Sequence, residues 1–104
     1  ILRNIYTITI DKESRDFDTY ANRISNFIID DQKTIIFTDM FGGTPSNISL
    51  SFFKKESVEI ISGVNLPMLI KASTLEKYES FEEAVKIISN SGKENIIVAG
   101  DLNI

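Results

Sequence analysis

Two residue types that carry much of the chemistry at protein sites are missing. The 104-residue sequence contains no cysteine and no histidine. Without cysteine there is no disulfide, no thiolate nucleophile and no cysteine-bound zinc, which fits a cytoplasmic setting. Without histidine most transition-metal sites lose their usual ligand. The chemistry of Asp, Glu, Ser, Thr and Lys remains, unless a partner supplies more, and no metal or cofactor is expected. Positive charge is sparse. The formal net charge is −4 and no basic run is longer than Lys54-Lys55, which argues against a nucleic-acid groove or a polybasic membrane anchor. No apolar stretch approaches the ~20 residues of a membrane-spanning helix, and no signal-peptide pattern is visible. Repeats, low-complexity tracts and linkers are also missing.

What is present reads as one globular domain, or part of one. Hydrophobic residues make up 42% and charged residues 25%, which places the chain among ordinary packed domains. Ile5 to Ile10 alternates as a strand, with Tyr6, Ile8 and Ile10 on one face. Phe17, Tyr20, Ala21, Ile24, Phe27 and Ile28 follow helical spacing. Thr34 to Thr38 is a near-continuous apolar run, the pattern of a strand covered on both faces. Pro45 to Lys55 predicts a second helix, and Val58 to Ser62 a strand ended by Gly63. Leu66 to about Lys77 predicts a third helix. Phe81, Ala84, Val85 and Ile88 mark a fourth, stopped near Gly92. Asn95 to Ala99 reads as a last short strand. This alternation predicts an α/β domain, doubly wound, with a mostly parallel sheet and helices on both faces.

The densest local signal is FTDMFGGTPSN, residues 37–47. Asp39 stands at the carboxyl end of a predicted strand, the edge where open α/β sheets bind ligands. Gly42 and Gly43 permit positive φ and close backbone approach. Pro45 suits the first helical position, which makes Thr44 the expected N-cap, its oxygen accepting from the Asn47 N–H. The N–H groups near Gly43 and Thr44, with the positive end of the helix, form a small anion site. A tight strand–turn–helix joint explains the GG-T-P run by itself. Asp39 does not fit that explanation alone, because a carboxylate repels an anion unless a cationic or N–H donor sits between them. The stretch lacks the G-K-[ST] of a P-loop and the contiguous D-F-G of a kinase. Asn47-Ile48-Ser49 matches a glycosylation pattern, but nothing points to secretion. A second corner, SGVNLPML at residues 62–69, repeats the theme of strand, glycine, asparagine and a proline-opened helix. Asn65 there either caps its helix or faces the site.

Taken together, TDMFGGTPSN and ISGVNLPMLI resemble the mannose-family enzyme IIA domain of the bacterial phosphoenolpyruvate-dependent sugar phosphotransferase system. The family pattern is a strand ending in Asp, an aromatic, G-G-[ST]-P-x-N, and later G-[VI]-N-[LI]-P-M-L. The resemblance extends from about Ile5 to Ile97. It implies a phosphoryl carrier that accepts phosphate on a histidine from phospho-HPr and passes it to a IIB component. In the family that histidine ends the first strand. Here the opening strand resembles the second, so a preceding βα unit is expected to be missing from residues 1–104 by truncation or as a natural remnant. The resemblance gives Asp39 the role of orienting the histidine and Thr44, with Gly42 and Gly43, that of receiving phosphoryl oxygens. Phe41, Asn65 and Leu66 become a rim for HPr and IIB. It also implies a homodimer sharing the strand around Ile96 to Val98, and membrane association only through the permease.

Three other readings stand beside this one. A receiver-like domain would use Asp39 or Asp11 as an aspartyl-phosphate site, but Ala99-Gly100 offers no lysine at the last strand. A IIA-like module of a transcriptional regulator would use phosphorylation as a signal. A non-catalytic remnant would bind partners only.

Overall fold

The computed structural model describes residues 4–10 and 17–103. These fall into two compact units, residues 4–64 and residues 65–103. Asp11 lies outside the described residues.

In the first unit, α1 spans Phe17–Phe27, β1 Thr34–Thr38, α2 Thr44–Leu50 and β2 Val58–Ser62. The two strands pair in parallel, with Thr34 opposite Val58 and Thr38 opposite Ser62. Side chains alternate across a strand, so Ile36 shares a face with Thr34 and Thr38. That face meets α1 and α2, where Tyr20, Ile24 and Ile48 form a buried cluster joined by Ile36, Ala21, Ile28 and Phe52. The mixed α/β class with a parallel sheet therefore follows from the two apolar runs and the amphipathic stripe of α1.

Two expectations for this unit are corrected. Residues 4–10 are not a strand; among the described residues the sheet holds β1 and β2 alone. A strand exists only through its ladder partner. The alternation nevertheless sorts the side chains. Ile8 and Ile10 pack against the core cluster, and Tyr6 stacks on Phe27 with ring centroids 4.2 Å apart. The second correction is that α2 starts at Thr44 and ends at Leu50 rather than running from Pro45 to Lys55. Phe52 and Phe53 N–H groups turn to carbonyls three residues back, Ser49 and Leu50. Lys54 and Val58 then exchange N–H···O=C bonds in both directions and open β2.

The second unit holds α3 (Leu66–Thr74), α4 (Phe81–Glu94) and a 3-10 turn, Ala99–Asp101. Ser80 caps α4, its oxygen accepting from the Glu83 N–H at 3.1 Å. The helix does not stop at Gly92 but continues two residues beyond it. Gly92 is there for contact: a Cβ built on it would lie 2.6 Å from Met68 Cγ and 3.1 Å from Asn65 Oδ1. No strand forms at residues 95–99. Ile96, Ile97 and Val98 are exposed and, like residues 4–10, lie in no ladder with a described strand.

Gly92→Ala tests this packing. Alanine is the better helix former by roughly 1 kcal/mol, but here the methyl group meets Met68 well inside contact distance. Overpacking of that kind costs about 1–3 kcal/mol. The variant should lower the denaturant midpoint, and a raised midpoint would show that Met68 moves aside freely.

Candidate functional site

The corner is built by what each strand end does with its next residues. The Thr38 carbonyl accepts from the Val64 N–H at 3.0 Å, which extends the ladder past Ser62 and levels the two strand ends. Thr38 points inward and is buried; Asp39, one residue on, points outward and is exposed. Among the described residues the Asp39 carboxylate has no hydrogen-bond or ion-pair partner. It is free to accept from a donor brought to it.

The chain then turns through Met40, Phe41, Gly42 and Gly43, closed by the Gly43 N–H on the Met40 carbonyl at 3.4 Å. Gly42 has φ +86°, the left-handed value that the third position of a type II turn demands. Gly43 has φ −77° and ψ 170°, so of the two glycines only Gly42 uses positive φ. Gly43, not Thr44, is the N-cap. The Asn47 N–H donates to its carbonyl at 2.9 Å, and no side chain caps the helix. Thr44 is the first helical residue and Pro45 follows it, each one place further into the helix than expected. This frees the Thr44 hydroxyl from capping. Thr44 is exposed, and among the described residues neither its N–H nor its hydroxyl has a partner. Asn47 braces the loop from behind, its side-chain amide donating to the Gly42 carbonyl at 3.3 Å.

Phe41 projects from the turn with 72% of its surface exposed. Three hydroxyls that no motif marks lie beneath: Thr38 Oγ1 is 2.7 Å from Ser62 Oγ, which is 3.4 Å from Ser46 Oγ. Two of them, Thr38 and Ser62, had a signal in the sequence, a polar residue closing each apolar strand; Ser46, inside α2, had none.

In the second unit Asn65 is the N-cap of α3. Its Oδ1 accepts from the Met68 N–H at 3.2 Å and its Nδ2 donates to the Gly92 carbonyl at 3.0 Å. Of its two candidate roles, the cap is the one displayed. Leu66, the first residue of α3, is 66% exposed. The structure thus gathers Asp39, Phe41, Gly42, Gly43 and Thr44 on one loop, while Asn65 and Leu66 open a helix of the other unit.

Residues 3–89 match the family described as EIIA-man, PTS system fructose IIA component. The chain belongs to that family. It is 35% identical over 71 residues to the PTS system mannose-specific EIIAB component of Escherichia coli K12, covering 65% of this chain and 22% of that protein. It is 24% identical over 75 residues to the PTS system fructose-specific EIIA component of Bacillus subtilis 168, covering 71% of this chain and 51% of that protein. Against these curated relatives the chain spans between 22% and 51% of their length. In fold it resembles the crystal structure of phosphotransferase system component EIIA from Streptococcus agalactiae, with a TM-score of 0.74 at 24% identity, over 86% of this chain and 72% of that one. Among the described residues of this EIIA-family chain no helix is long and apolar enough to cross a membrane.

The corner's geometry separates its neighbours. Gly42→Ala meets no atom within 4 Å, so its cost is conformational, about 1–2 kcal/mol for a left-handed alanine. Thr44→Ala removes no cap and should change stability by no more than about 0.5 kcal/mol, as for an ordinary surface site. Chemical denaturation of both variants checks this, and a loss at Thr44 equal to that at Gly42 would restore the threonine as a cap.

Proposed function

We propose that this EIIA-family chain forms the phosphoryl-holding part of a IIA carrier, a single IIA-like domain that takes phosphate from phospho-HPr and gives it to a IIB component during sugar uptake. The observation that carries this reading is the Asp39 carboxylate at a parallel strand end, without a partner among the described residues, on one loop with the Thr44 N–H and hydroxyl, likewise without partners among the described residues. The two ends of that loop suit different parts of one phosphohistidine. Asp39 accepts a hydrogen bond from one imidazole nitrogen, which leaves the other as nucleophile and stabilises the ring as it gains charge. Thr44, with the backbone opened by Gly42 and Gly43, donates to the phosphoryl oxygens, where negative charge must be held. The bond from phosphorus to its carrier atom on HPr breaks as the new P–N bond forms on the acceptor histidine; in a second transfer that P–N bond breaks, with the histidine as leaving group, as phosphorus bonds to the acceptor on IIB. Phe41 and Leu66 supply exposed apolar contacts for these partners. Asn65 contributes by holding Leu66 in place.

The acceptor histidine comes from outside these 104 residues, since they contain none. The domain works in the cytoplasm, beside the membrane permease. A homodimer is part of the proposal, with the exposed run Ile96 to Val98 offered to a second copy.

Two experiments follow. The 104-residue chain, incubated with phosphoenolpyruvate, enzyme I and HPr, should gain no acid-labile phosphate by intact mass. A stoichiometric adduct would overturn the histidine assignment. In the chain extended by the family's histidine-bearing segment, Asp39→Asn should keep the fold and slow transfer by about 10²–10⁴-fold, as for other orienting carboxylates. Transfer within a factor of about two of wild type would reduce Asp39 to a structural residue.

A further inference from the structure

Three elements build the corner, and each sends one hydroxyl beneath it. Thr38 ends β1, Ser62 ends β2, and Ser46 lies in the first turn of α2. Thr38 and Ser46 are buried, at 5% and 0% exposure. Ser62 Oγ bonds to both, at 2.7 Å to Thr38 Oγ1 and 3.4 Å to Ser46 Oγ, so it is the hub. Packing alone does not require hydroxyls here. The neighbouring inward position on β1 is Ile36, and a β-branched apolar residue suits such a surface. Hydrogen-bonded hydroxyls add direction: they fix one relative placement of three backbones where apolar contact tolerates sliding. The placement they fix is that of α2 on the strand ends. Asp39 is the residue after Thr38, and Thr44 stands two before Ser46.

We propose that Ser62, bonded to Thr38 and Ser46, is a positioning residue that holds Asp39 and Thr44 at the spacing phosphoryl transfer needs. The inference rests on the carrier reading above. Ser62 acts through its neighbours and touches no transferred group. Its work is to keep the histidine's acceptor and the phosphoryl's donor from drifting apart.

The test compares Ser62→Ala with the triple variant Thr38→Val/Ser46→Ala/Ser62→Ala. The single change strands two buried hydroxyls and should lower both melting temperature and transfer. The triple change removes every member, so stability should return towards wild type. If the hub positions, transfer by the histidine-bearing protein stays about 10–100-fold slow in the triple variant, while KM for phospho-HPr stays within about twofold. Ser62→Thr, which keeps the hydroxyl, should transfer as wild type does. Recovery of transfer together with stability in the triple variant overturns the proposal. A second measurement uses the 104-residue chain, which needs no histidine. In Ser62→Ala the Val64 and Asn47 amides, which fasten the corner, should lose hydrogen-exchange protection relative to the amides of the β1–β2 ladder. Uniform loss, or none, also counts against the hub. A histidine-bearing wild-type protein that takes no phosphate defeats the carrier reading instead, and the exchange measurement then decides the hub alone.

Discussion

The register of two five-residue strands decides which side chain at the corner is buried and which faces solvent. Thr38 lies opposite Ser62, and the bond from the Val64 N–H to the Thr38 carbonyl locks that level. A one-residue slip in a strand exchanges its two faces. Here it would turn Asp39 into the core and Thr38 out to solvent. A carboxylate without a partner is far costlier to bury than a hydroxyl that finds two others. The hydroxyls at Thr38, Ser62 and Ser46 therefore accept burial that Asp39 would refuse, and the register that satisfies them leaves the acid outside. Structure and site draw on the same choice.

Gly42 carries the next constraint. Once Asp39 leaves the strand outward, the chain has four residues in which to reverse and enter α2. A turn with φ +86° at Gly42 does this, and the extended backbone of Gly43 serves as the cap. Because the cap is a glycine carbonyl and not a threonine hydroxyl, the Thr44 hydroxyl takes no part in capping the helix. The second corner solves the same problem differently. Asn65 caps with its side chain and braces α4 through the Gly92 carbonyl, so its amide is spent on the fold. Two strand–glycine corners that each lead into a proline-opened helix thus divide between framework and available chemistry.

How much of this was legible in the sequence follows the range of the interactions. Phe17–Phe27, Thr34–Thr38 and Val58–Ser62 were readable because each is set by its own apolar spacing. The glycine corner was readable because positive φ has few other tenants. Residues 4–10 and 95–99 were misread as strands because pairing belongs to a partner, which no local pattern contains. Gly92 was misread as a stop because a packing glycine and a terminating one are the same letter; only Met68, 24 positions earlier in the chain, distinguishes them. The Thr44 cap failed by a single residue, within the usual uncertainty of helix ends. The hydroxyl hub was invisible because its members lie on three elements.

The missing histidine becomes informative against this frame. A phosphoryl group carries two negative charges near neutral pH. Each unit charge placed 4 Å from Asp39 would be opposed by roughly 1–4 kcal/mol, from bulk water to a protein surface. The first turn of a seven-residue helix offers a donor-rich end worth about 0.3–1 kcal/mol, too little to offset that repulsion. A bare phosphate is therefore the wrong ligand for this loop. Under the carrier reading, the loop becomes favourable when a ring that donates to the carboxylate on one side and bears the phosphoryl group on the other enters it. Imidazole has that shape, with two nitrogens on opposite edges and a proton available to one of them. Under the same reading, a sequence with no histidine and an exposed carboxylate at its strand end is half of such a site: it holds the acceptor for the ring and the donors for the phosphate, and the reacting group must be brought to it.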